Sequence, residues 1–175
     1  MFKPLVVYYS RRGENHMPGG IQVLAKGNTE YAAQYIREAV QADLFHIDTA
    51  VPYAENYRQC CQQAVAEAQS GARPELKEYL ADVSGYDPIF VCYPCWCGTA
   101  PMCVFTFLEH YDLTGKTIIP LCTHEGSGLA HSEADLQRAC PGSTLLPGLA
   151  VRGHQAKDSR EAIAAWAKDA LAKKA

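Results

Sequence analysis

Five short runs, at residues 5–9, 44–47, 89–93, 117–122 and 145–151, constrain this chain more than any other feature of its sequence. Most are continuously apolar, rich in β-branched and aromatic residues, and show no alternation of polar with apolar positions. A strand with one wet face must alternate, whereas a strand buried on both faces need not. The runs therefore predict a parallel sheet covered by helices on both sides. Helical spacing fills the intervals. Ala32, Tyr35, Ile36, Ala39 and Val40 recur every three or four residues behind Asn28 and Thr29, both good capping types. Further helices are predicted at 57–69, 102–111 and 132–139. A last one runs from Asp158 to about Lys173, opened by an Asp158/Glu161 capping box. Strand and helix alternate five times, which predicts an open α/β sheet with right-handed crossovers.

The length of 175 residues suits one domain spanning 1–175. Lys and Arg total 16 against 19 Asp and Glu, a net charge of −3. No basic surplus exists to neutralise a phosphate backbone, which argues against nucleic acid as a partner. Residues 88–108 carry no charge over a length close to the ~20 residues of a bilayer span. Pro94, Gly98 and Pro101 fall inside that stretch, so it reads as strand, loop and helix, with no membrane as partner. The eight cysteines lie between Cys60 and Cys140. Secreted disulfide scaffolds are small and follow a signal peptide. Here Arg11 and Arg12 follow a short apolar run when they should precede a longer one. Reduced thiols and a cytoplasmic location are the expectation.

In open α/β sheets ligands bind beyond the carboxyl ends of the strands. Three loops there have unusual composition. After the first run, Ser10 precedes a long segment that ends in Lys26-Gly27-Asn28-Thr29 at a helix start, a setting suited to a phosphate. Plain helix capping by Asn28 and Thr29 is the alternative. The segment 11–26, with Gly13, Pro18, Gly19 and Gly20, fits either a functional flap or an ordered surface excursion. After the third run, Pro94-Cys95-Trp96-Cys97-Gly98 presents a Trp able to flank a planar ring or to fold back on the core. After the fourth, Thr123-His124-Glu125-Gly126-Ser127-Gly128 offers hydroxyls, a His and close backbone approach. The spacing Cys92-x-x-Cys95-x-Cys97 invites a zinc site but has no matching second pair, so buried free thiols are expected and metal is not.

Together these loops resemble the flavodoxin superfamily, and within it the bacterial flavodoxin-like proteins with a long insertion in the phosphate-binding loop. The matching stretches are Val7-Tyr8-Tyr9-Ser10-Arg11, Lys26-Gly27-Asn28-Thr29-Glu30, and Gly85-Tyr86-Asp87 leading to Tyr93-Pro94-x-Trp96. They continue in Phe107-Leu108-Glu109, Leu113-x-Gly115-Lys116-Thr117 and Thr123-His124-x-Gly126-Ser127-Gly128. The resemblance implies a flavodoxin-like three-layer sandwich that binds FMN. Its five-stranded parallel sheet has the order 2-1-3-4-5, for which flavodoxin is itself the type example. It further implies that Ser10, Gly27, Asn28 and Thr29, with Lys26 beside them, hold the FMN phosphate. By the same resemblance Pro94, Cys95, Trp96, Cys97 and Gly98 flank the isoalloxazine together with Thr123, His124, Glu125, Gly126, Ser127 and Gly128. One position departs: relatives carry Trp-Trp-Gly where this chain has Trp96-Cys97-Gly98.

The functional expectation is an FMN-binding redox protein, an electron carrier or small reductase acting with a redox partner protein or a small-molecule acceptor. An NAD(P)H-dependent quinone or flavin reductase on the same fold is the alternative. A flavin-free thiol redox protein using Cys95 and Cys97 is a third reading. His124 is the nearest candidate proton donor, and a purely hydrogen-bonding role fits it equally.

Overall fold

The computed structural model describes residues 2–174. β1 (Lys3–Tyr8) leads into a hairpin of β2 (Gly13–Met17) and β3 (Gly20–Leu24), then α1 (Asn28–Val40) and β4 (Asp43–His46). α2 (Tyr57–Ser70), β5 (Tyr86–Pro94), α3 (Met102–Glu109) and β6 (Thr117–His124) follow. The chain ends in α4 (Ser132–Ala139), β7 (Thr144–Leu145), β8 (Leu149–Arg152), a 3-10 turn (Gly153–Asp158) and α5 (Arg160–Lys174). The main sheet runs β4-β1-β5-β6-β7, with β8 also on β6, and every pairing in it is parallel. This is the expected flavodoxin-like order, with the fifth strand in two pieces. Pro147, which lacks an N–H, and Gly148 separate them. A Cβ on Gly148 would lie 2.9 Å from the Pro120 carbonyl oxygen, so the chain presses against β6 there.

The unbroken apolar runs have their physical reason in two cores. Ile89, Val91 and Tyr93 of β5 meet α3 and α4 through Phe107, Leu108 and Leu136 on one face. Phe90 and Cys92 meet α1 and α5 through Ala33, Ile36, Ile163 and Ala167 on the other. Fully burying a side chain such as Phe90 or Phe107 contributes about 1.5–3 kcal/mol. α2 is different. Its buried residues are Cys60 and Ala64, and both face a cavity described below.

Two capping expectations are corrected. Gly27 is the N-cap of α1, which puts Asn28 and Thr29 inside the first turn as helical residues. The last helix starts at Arg160, so the Asp158/Glu161 box does not form; the Ser159 carbonyl accepts the Ile163 N–H at 2.9 Å. α3 also stops at Glu109, short of the expected residue 111.

Candidate functional site

The loops after β1, β5 and β6 converge at one edge of the sheet around a cavity of about 300 Å³. At one end stands the start of α1. The Ser10 Oγ accepts the Glu30 N–H at 3.1 Å, which pulls the strand end and the helix together. A Cβ on Gly27 would lie 2.1 Å from that Oγ and 2.6 Å from the Arg11 carbonyl oxygen, so glycine alone fits. The N–H groups of Asn28 and Thr29 find no acceptor among the described residues. Free first-turn N–H groups and the positive end of the helix dipole make an anion site. The buried Thr29 and Thr123 hydroxyls lie 2.7 Å apart and tie the first loop to the third. Opposite, a Cβ on Gly153 would fall 2.7 Å from Asn28 Nδ2 and 2.8 Å from Glu125 Oε1. Glu125 is itself held by the His154 N–H at 2.8 Å and by the His154 ring, whose Nδ1 lies 2.7 Å from Oε2.

The cations near this end are engaged elsewhere. Arg12 makes a two-pronged pair with Glu30 at 3.0 and 3.2 Å. Lys26 meets Gln34 and lies 4.2 Å over the Tyr31 ring. Arg11 donates from Nε to the Glu14 carbonyl at 2.8 Å and from Nη2 to the Glu55 carbonyl at 2.6 Å.

Trp96 is also in the cavity wall. It packs edge-on against Tyr9 and Tyr53, with ring centroids 5.3 and 5.0 Å away, while lining the cavity. It therefore both covers the core and offers a wall to the cavity. Trp96 and Thr99 exchange backbone hydrogen bonds at 2.8 and 3.1 Å across a two-residue turn. Both turn residues are left-handed, Cys97 with φ 55° and Gly98 with φ 77°. That conformation suits Gly and Asn and strains most other residues. Cys95 takes a half-buried place beside Cys122 and Ser127. Among the described residues no group of three or more His, Cys, Asp or Glu is placed to hold a metal ion.

Of the expected residues, Asn28, Thr29, Pro94, Cys95, Trp96, Thr123, His124, Glu125, Gly126 and Ser127 line the cavity together. Ser10 and Gly27 shape its floor from behind. Lys26, Cys97, Gly98 and Gly128 stand outside its lining. Gly98 packs under His131, where a Cβ would sit 2.7 Å from Nε2, and the Gly128 carbonyl lies 3.6 Å from the Cys122 thiol. Arg11, Asn15, His16, Tyr57 and Gly153 complete the lining, and sequence reasoning did not place them in the site. Asn56 before Tyr57 is a recognisable helix cap, accepting the Gln59 N–H at 3.1 Å, and marks where α2 begins.

A family model described as flavodoxin matches residues 21–170. A search of curated proteins finds no match. Among solved structures, a Bacteroides uniformis ATCC 8492 protein assigned as a flavoprotein is 30% identical with a TM-score of 0.77, covering 95% of this chain and 98% of that one. A similarly assigned protein from Bacteroides eggerthii DSM 20697 is 28% identical with a TM-score of 0.70, covering 93% and 98%. A flavoprotein from Lactobacillus acidophilus NCFM, solved in complex with FMN, shares the fold at 17% identity and a TM-score of 0.69, over 90% and 98%.

Proposed function

The chain belongs to the flavodoxin family, and on that premise we propose that it binds FMN and serves as a redox protein. One observation carries the reading: a helix start with unclaimed N–H groups and a Trp wall line one cavity. The solved relative with FMN supports the choice of flavin. The phosphate belongs with the N–H groups of Asn28 and Thr29 and the Thr29 hydroxyl. Since Arg12 and Lys26 are already paired, dipoles supply most of its attraction. Pro94, Cys95 and Trp96 with residues 124–127 would hold the ring. Trp96 and Tyr57 keep water from it. When bound, the flavin supplies reversible one- or two-electron chemistry, and the protein sets access and electrostatics.

Fluorescence titration with FMN tests the reading. Thr29→Ala removes a charge-assisted hydrogen bond and raises the dissociation constant about tenfold to a hundredfold. Lys26→Ala, the control, shifts it far less. An unchanged constant for Thr29→Ala removes the α1 start from the site, and no FMN binding by the wild type rejects the reading. The second cavity beyond Trp96, about 280 Å³, favours a reductase that admits a small substrate over a pure carrier. Turnover of NADH or NADPH with a quinone separates the two.

A further inference from the structure

Beyond Trp96 the cleft continues. Between Trp96, Cys97 and α2 lies the second cavity, with Arg11, Asn15, Tyr57, Cys95 and Trp96 in the wall it shares with the first. Ala64 and Val65 line its α2 side. Resting on the FMN reading for its biological meaning, we infer that this cavity binds a small planar anion, an aromatic carboxylate in chemical class, with Arg11 as its counter-charge.

Arg11 is 8% exposed, and burying a guanidinium is costly unless it is paired. No carboxylate among the described residues pairs with it: Nε and Nη2 end on the neutral carbonyls of Glu14 and Glu55. The nearby acids are committed elsewhere. Glu14 Oε2 accepts the Tyr57 N–H at 2.6 Å, and Glu30 pairs with Arg12. Among the described residues Nη1 has no hydrogen-bond partner, yet the one buried unpartnered side-chain polar atom among them is Thr99 Oγ1. Nη1 is therefore unpaired without being sealed, and the space Arg11 lines is the two cavities. Its Nη2 reaches the Glu55 carbonyl, just ahead of α2. Arg11 lines this cavity together with Trp96 and Tyr57, whose rings give flat walls. The cavity, about 280 Å³, has room for a ligand of one or two rings. A fixed guanidinium fork matches a carboxylate geometrically.

Benzoate is the probe and benzamide its neutral control. Binding to the FMN-loaded protein is read from the perturbed flavin absorbance, and binding to the apoprotein from ligand-observed NMR. Benzoate should bind about tenfold to a hundredfold more tightly than benzamide. Arg11→Met should erase that preference. Arg11 also braces the hairpin, so Val65→Trp provides an independent arm from an exposed helix position. It fills the cavity, abolishes binding of both probes and leaves the FMN titration unchanged. Equal binding of the two probes overturns the inference, as does a preference that survives Arg11→Met. So does displacement of benzoate by FMN, which would assign the cavity to the flavin ring. Should FMN fail to bind, the FMN reading falls, and the probe comparison on the apoprotein still decides the anion site.

Discussion

A single residue, Trp96, separates Cys95 from Cys97, yet their thiols meet opposite environments. The Cys122 thiol, the Ser127 hydroxyl and the Gly98 N–H lower Cys95 to about 6 against the opposing effect of burial. Burial raises Cys97 above the ordinary thiol range, although it is the more exposed of the two. The thiolate is the nucleophile, so brief iodoacetamide treatment at pH 7 should alkylate Cys95 ahead of Cys97. The Cys122 proton also has the Thr123 and Gly128 carbonyls 3.6 Å away. Cys122→Ala measures its share at Cys95, and labelling there should slow. Peptide mass spectrometry after timed quenching reads both, and faster labelling of Cys97 would refute the ordering. Gly27 makes the complementary point about space. With ordinary backbone angles, φ −68° and ψ 153°, it is glycine for want of room and not for conformation. Gly27→Ala should lower stability by about 1–3 kcal/mol in chemical denaturation and weaken FMN binding. Wild-type stability in that variant would show that Ser10 can move aside freely.

The β2–β3 hairpin turns a segment that local sequence left open into part of the site. Its base is stitched to α2: Glu14 Oε2 accepts the Tyr57 N–H, and Arg11 bridges the Glu14 and Glu55 carbonyls. Asn28 Nδ2 donates to Met17 Sδ at 3.5 Å, joining the hairpin to α1 as well. The far strand is free, with Ile21 and Val23 exposed. Glu14→Ala should cost α2 about 0.5–2 kcal/mol, as loss of a cap does. Hydrogen exchange should then quicken over residues 13–24 and at the start of α2; unchanged protection would mean that other contacts hold the hairpin. This also explains which site residues the sequence revealed. The loops 94–98 and 123–128 announce themselves by Gly, Pro, Trp and hydroxyl residues packed at strand ends. Arg11, Asn15, His16 and Tyr57 reach the cavity through docking of the hairpin on α2, a long-range contact with no local signature. Strands and helices were legible because burial on both faces writes itself as unbroken apolar runs. The split of the last strand was not, since it depends on how Gly148 meets Pro120 across the sheet.

The site as a whole is assembled from loops that follow three different strands, with Gly153 closing one end. Each strand is fixed in register by its neighbours, so the cavity exists in the folded chain and is lost with unfolding. A ligand bound solely by the native state adds stability by mass action, about 2.7 kcal/mol at a hundredfold excess over its dissociation constant. For a chain of this size that corresponds to a rise in Tm of roughly 5–11 °C. Riboflavin supplies the test of how the α1 start and the Trp96 wall divide the work. It carries the ring and the ribityl chain without the phosphate, so it keeps the Trp96 wall and leaves the N–H groups of Asn28 and Thr29 unmet. At equal concentration it should raise Tm by much less than FMN, and raising the salt should narrow the gap only modestly, because dipoles hold the phosphate where unpaired lysines would be screened. A riboflavin shift equal to that of FMN would mean that the α1 start takes no part in binding. A gap that collapses in salt would mean that the charged side chains, in place of the helix start, hold the phosphate.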